Sequence, residues 1–201
     1  YDELKKIVKI NTLEKLSKDN LSSEIFLMIF PELKNISKFS QLSFEIKKVL
    51  KENDFIFLLS LMIIDDKDNA DYFLYKFNVS KKDQKRIKVI DNFYKEKINS
   101  KTFTENKLNK VFYYDGKQAV LDVLNYRIIS AKKIDLTLVE LYKKYESKLI
   151  PLMPISADLL MKKYKISQGK QLGEKLKKIE DKWVQNNFEI SEKDVDNIIE
   201  N

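Results

Sequence analysis

Cysteine and histidine are both absent from these 201 residues. That excludes disulfides, thiol nucleophiles, imidazole bases and the usual zinc ligands. It also leaves the scattered serines without a partner for a hydrolase triad. Glycine and proline number three each. Sheets and barrels need many turns, so this scarcity predicts an all-α chain of long helices joined by short polar loops. No run of about 18 apolar residues occurs, so no membrane-spanning helix is expected. The apolar stretch from Phe55 to Ile64 is too short for that and reads as a buried helix. Arginine appears only as Arg86 and Arg127, although phosphate and guanine recognition favours the arginine fork. The chain has neither an initiator methionine nor a signal peptide at its start. Opening inside a helix-like segment at Tyr1, it reads as a piece of a longer protein.

What is present is mostly helical periodicity. The length suits one large helical domain or two small ones with a real core. About ten helices are expected, the first carrying Leu4, Ile7 and Val8. Leu21 to Phe30 is apolar almost throughout and stops at Pro31, as a helix must. Helices follow over 44–50, 55–64 and 71–77. Ser80 with Asp83 forms a capping box for a helix running to Ile98. The segment 106–114 ends at Gly116, a left-handed C-cap. Helices over 118–129 and 136–145 complete a body of residues 1–150. Pro151 and Pro154 then mark the hinge into a tail of residues 151–201. Ser191 and Asp194 cap its final helix.

Charge is unevenly placed within the net +7. Residues 1–80 carry 12 basic and 13 acidic side chains, 81–133 carry 14 and 6, and 134–201 carry 12 of each. Within the last third, 148–178 has 8 basic residues against 2 acidic. Clustered lysine beside helix ends is the footprint of a polyanion partner, although a lysine-rich helix face is more often simply solvated. Lysine as a point charge suits sequence-independent tracking of a nucleic-acid backbone.

Candidate chemistry is thin. Asp65-Asp66-Lys67-Asp68 has the carboxylates of a Mg²⁺ site. It reads better as an acidic loop with Asp68 as an N-cap, because no phosphate-binding Gly-Ser strand accompanies it. Phe112-Tyr113-Tyr114 before Gly116-Lys117 could stack on a base. Such a cluster is more often core with one exposed hydroxyl. The richest stretch is 154–188: a short helix opened by Asp158-Leu159-Leu160, then a turn flanked by Lys165 and Lys170. Gly169 and Gly173 follow, and a longer helix has Leu172, Leu176, Ile179 and Trp183 on one stripe. Backbone N–H groups at a glycine-bearing helix start suit an anion.

That stretch resembles the C-terminal end of bacterial class II tRNA nucleotidyltransferases, the CCA-adding enzymes, and of the related poly(A) polymerases. The matching residues are Ile155, Asp158, Leu159, Leu160, Gly169, Leu172, Gly173, Leu176, Glu180 and Trp183. The family often has glycine where this chain has Ala157, and another near Tyr164 ending the first helix. Upstream, Tyr1 to Ile7 resembles the end of the family's Glu-Arg-Ile-x-x-Glu-Leu helix, and Ile29-Phe30-Pro31-Glu32-Leu33 its Phe-Pro-Glu-Leu segment. Phe55 to Ile64 resembles the leucine-rich body helix. Residues 77–83 and 111–121 resemble two later turns, in the right order.

The resemblance implies an all-α body and helical tail that hold the acceptor and T arms of tRNA in the cytoplasm, with no catalytic residue and no metal site of their own. The absence of histidine excludes the His-Asp phosphohydrolase module that some of these enzymes carry. Mg²⁺ and CTP or ATP are expected only in the catalytic head, which should precede residue 1. Expected phosphate contacts are Lys81, Lys82, Lys85 and Arg86 at the capped helix, Lys117 after Gly116, and Lys162, Lys165, Gly169 and Lys170 at the hairpin. They make the hairpin the far end of a basic path that starts near Lys81. The rival is a basic all-α protein–protein interaction module without enzymatic activity. A DNA-binding helix-turn-helix over 156–186 fits less well, since lysine and glutamate predominate where base-reading side chains would stand.

Overall fold

The computed structural model describes residues 1–52, 54–65, 67–95, 103–131 and 135–200. Among them lie thirteen α-helices, one 3₁₀ helix and no strand, so the all-α expectation holds. The helices are α1 Asp2–Ile7, α2 Ile10–Lys18, α3 Asn20–Ile29, α4 Phe44–Lys51, α5 Phe55–Ile63, α6 Asn69–Lys76 and α7 Lys81–Lys95. They continue as α8 Glu105–Tyr114, α9 Lys117–Ser130, α10 Leu136–Ser147, α11 Ala157–Tyr164, α12 Lys170–Gln185 and α13 Glu192–Glu200. The 3₁₀ helix, Lys34–Phe39, precedes α4. None is long and apolar enough to cross a membrane, among the described residues.

Contacts group the chain into two compact units, residues 1–98 with 121–144, and residues 99–120 with 145–201. A boundary near residue 150 follows the prolines, whereas packing places α8 with the tail helices.

The first unit is organised around α5. Asp54 is its N-cap, accepting from the Phe57 N–H at 3.1 Å. All residues from Ile56 to Ile63 are buried, and its single polar side chain, Ser60, returns its hydroxyl proton to the Ile56 carbonyl at 2.8 Å. Each such large apolar side chain contributes roughly 1.5–3 kcal/mol over an exposed one. The Phe-Pro-Glu-Leu segment supplies the junction beneath it. Leu33 is fully buried, and Asn69 donates to the carbonyls of Glu32 (2.8 Å) and Ile63 (2.7 Å). Lys76 caps the buried Glu32 carboxylate at 2.6 Å.

Local signals are realised where they were strongest. Asp83 N–H donates to Ser80 Oγ at 3.2 Å and Ser80 Oγ to Asp83 at 2.9 Å, closing the capping box. Residues 96–98, the expected end of that helix, lie outside the described residues. Gly116 takes φ +95° after α8, with its N–H on the Val111 carbonyl. The N-terminal segment is two helices, because the chain leaves helical geometry at Val8 and Lys9. The apolar α3 is a surface helix: only Phe26 is buried, while Leu21, Ile25, Met28 and Ile29 are half or more exposed.

The second unit has its own core, in which Leu160, Leu172, Ile179 and Val195 are buried and Met161, Tyr164, Leu176 and Ile190 pack around them. This is the expected hairpin plus final helix. The Ser191–Asp194 box closes α13 at its start. Lys175 donates to the Ile199 carbonyl at 2.6 Å at its end.

One buried carboxylate in the first unit is electrostatically costly. Asp91 on α7 is buried; one oxygen bonds Lys95 at 2.8 Å and the other has no partner. Burial raises its pKa despite the lysine, because desolvation outweighs the pair's attraction. A carboxyl with a raised folded pKa lowers stability at neutral pH, and the penalty fades as pH falls towards the unfolded value of about 3.9. Asp91→Asn is therefore expected to equal or exceed the parent in denaturant stability at pH 7 and to lose that advantage near pH 4. A variant equally destabilised at both pH values would contradict this assignment.

Candidate nucleic-acid interface

Four of the expected contacts stand on α7. Its capped start projects Lys81, Lys82 and Lys85 into solvent, all three exposed. Lys88, which the sequence reading passed over, shares the face of Lys81 and Lys85 by its spacing of seven and three residues. It pairs with Asp71 of α6 at 3.5 Å. Arg86 points the other way. Its guanidinium bonds both oxygens of the fully buried Asp122 on α9, one at 2.9 Å, and also Asp54. Burial alone would lower its pKa, but the two carboxylates reverse this and raise it. The guanidinium is thus committed within the protein.

In the second unit Lys117, half-buried at the start of α9, donates to the Glu146 carbonyl in the last turn of α10 at 2.9 Å. This is a cation on a helix C-terminus. Lys162, Lys165, Gly169 and Lys170 gather at the α11–α12 turn and are all exposed. Ser156 caps α11 through the Leu159 N–H at 3.2 Å. The helix ends on Lys165 in left-handed geometry (φ 53°, ψ 33°). A lysine thus occupies a backbone region that glycine adopts without steric cost. Gly169 precedes α12 at φ 153°, ψ −166°, a region open essentially to glycine alone.

The start of α12 has no side-chain cap and no acidic residue in its first turn. Lys170, 91% exposed, reaches Glu174 only at 3.6 Å. A side chain at Gly173 would meet open space, so packing does not demand its glycine. A helix N-terminus with bare N–H groups and added lysine attracts anions.

The aromatic run before Gly116 is an anchor. Phe112 is buried, and Tyr113 lies edge-on to Trp183 at 5.3 Å. Phe188, at φ 68°, closes the cluster 5.1 Å from Trp183. Tyr113 OH donates to Glu180 at 3.0 Å, and Tyr114 OH, the more exposed, to Asp181 at 2.7 Å. Burial, reinforced by that carboxylate, pushes the Tyr114 hydroxyl up to about 12. Lys148 sits over Phe188 (4.7 Å), Tyr145 (5.3 Å) and Phe112 (5.6 Å). Glu180 and Trp183 therefore fasten α12 to α8, which sequence spacing alone did not reveal.

In the acidic loop, Asp65 accepts from the Lys67 N–H at 3.0 Å and pairs with Lys34 at 3.2 Å. Asp68 occupies the N-cap of α6 without a side-chain bond, and Asp66 lies outside the described residues. Among the described residues, which leave out Asp66, no three acidic side chains gather as metal ligands would.

Two substitutions separate charge from scaffold. Arg86→Met strands the buried Asp122 and should cost about 3–5 kcal/mol in denaturant unfolding, most of it recovered when Asp122→Leu is added. A loss below about 1 kcal/mol would mean that Asp122 is held by other groups. Lys165→Gly relieves a left-handed lysine, so stability should rise by up to about 1 kcal/mol; a fall would show that the lysine's contacts outweigh its backbone cost.

No curated protein matches the chain. The family model described as tRNA nucleotidyltransferase domain 2 matches residues 47–195, which takes in α5 through the start of α13 and so most of both units. The chain belongs to the tRNA nucleotidyltransferase domain 2 family.

Proposed function

We propose that this chain is the RNA-holding body and tail of a tRNA nucleotidyltransferase. It grips the acceptor and T arms while a catalytic head outside these residues adds CCA, or A alone, to the 3′ end. The family match carries the reading. Two exposed lysine groups at helix ends support it, Lys81, Lys82 and Lys85 on α7, and Lys162, Lys165 and Lys170 around Gly169. Arg86 and Lys117, also expected to touch phosphate, are bonded to Asp122 and to the Glu146 carbonyl. Mg²⁺ and CTP or ATP belong to the head on this reading. The setting is cytoplasmic, where tRNA ends are made. A basic all-α protein–protein interaction module is the second reading, favoured by the exposed apolar side chains of α3.

Affinity for tRNA and for duplex DNA of similar length, measured across a salt series, separates the two. The chain should prefer tRNA, and log K should fall with log salt by roughly 0.9 per neutralised phosphate. Lys81→Ala, Lys162→Ala and Lys170→Ala should each reduce that slope by about one contact. Equal affinity for tRNA and DNA, or no binding at low salt, would refute the grip.

A further inference from the structure

Helix α6 buries Ala70, Phe73 and Leu74 and leaves the rings of Tyr72 and Tyr75 in solvent, 57% and 88% exposed. Neither ring is part of the first unit's core. Asp71, four residues before Tyr75 and on the same face, bonds Lys88 at 3.5 Å and Lys95 at 3.4 Å on α7. Those bonds lay the lysine-bearing face of α7 alongside the tyrosines. Lys81, Lys85 and Lys88 follow one another there at spacings of four and three residues. Five lysines (81, 82, 85, 88 and 95) stand against three carboxylates (Asp71, Asp83 and Asp91), the last of them buried. The margin is positive.

An exposed ring pair edged by cations matches one ligand chemistry closely, a flat π-face joined to a phosphate. An aliphatic peptide would use the rings but not the lysines, and a duplex arm would use the lysines but not the rings. In a duplex the base faces are covered by their neighbours, so only unstacked bases meet aromatic side chains. We propose that Tyr72 and Tyr75 form a stacking platform for an unpaired nucleotide of the bound RNA, with its flanking phosphates along Lys81, Lys85 and Lys88. The proposal rests on the RNA-holding reading and adds that the first unit recognises an unpaired segment as well as duplex charge.

The test compares the full chain with Tyr72→Ala, Tyr75→Ala, Tyr75→Phe and Lys85→Ala. The probes are a single-stranded oligoadenylate of about ten nucleotides and a blunt RNA duplex of equal phosphate number. Tyr75→Ala should weaken oligoadenylate binding roughly five- to one-hundred-fold, with an unchanged salt slope and an unchanged duplex affinity. Tyr75→Phe should restore binding, because the ring and not the hydroxyl stacks. Lys85→Ala should lower the salt slope for both probes. Both tyrosines lie outside the core, so the variants should melt as the parent does. Unaltered oligoadenylate affinity in both alanine variants overturns the platform and leaves the RNA grip standing, and it is also the result expected if the rings serve a protein partner. Failure of the parent chain to bind either RNA at low salt overturns both.

Discussion

A single guanidinium holds the first unit in register. Arg86 of α7 reaches Asp54, the cap of α5, and Asp122, buried on α9. Asp54 does two things at once, satisfying the Phe57 N–H and accepting from Arg86. Helix α5 is apolar over nearly its whole surface and must be enclosed. Enclosure brings Asp122 into a place where an unpaired charge would be prohibitive, and the arginine resolves it. With that side of α7 fixed inward, Lys81, Lys85 and Lys88 are turned outward. The chain's most basic helix owes its exposed row to the one cation it hides.

The features legible in the sequence were those set by nearest neighbours. Pro31, the Ser80–Asp83 and Ser191–Asp194 boxes and Gly116 act within five residues, and each ends or opens a helix where expected. What could not be read depends on distant partners. Nothing local marks the break at Val8 and Lys9 or the 3₁₀ helix at Lys34–Phe39. The apolar pattern of α3 could not tell a buried helix from one that keeps Met28 in solvent. Among the cations, charge and spacing were visible but availability was not. Arg86 and Lys117 look like their neighbours in sequence, and only partners 29 to 36 residues away distinguish them.

The residues that gave the family its clearest signature divide into two roles once the second unit is seen. Leu172, Glu180 and Trp183 face inward, into the core with Leu160 or onto Tyr113. They fix the axis of α12. Gly169 and Gly173 face outward and leave backbone bare. A motif that combines both is what a precisely aimed helix start requires, since the anchor sets direction and the glycines clear the approach.

The charge at that helix start runs against the unbound protein's own interest. Cations near a helix N-terminus are destabilising, whereas acids there are favourable. Helix α13, which closes the same core, obeys the rule with Glu192 and Asp194 in its first turn. Helix α12 has no acid there and begins instead with Lys170, close in sequence to a left-handed Lys165 that carries backbone strain as well. An anion at the turn would offset the electrostatic cost, because the same N–H groups and lysines would then be its ligands. The local electrostatics therefore cost the unbound chain a little stability that an anion at the turn would return. That asymmetry, more than the number of lysines, distinguishes this turn from the start of α13.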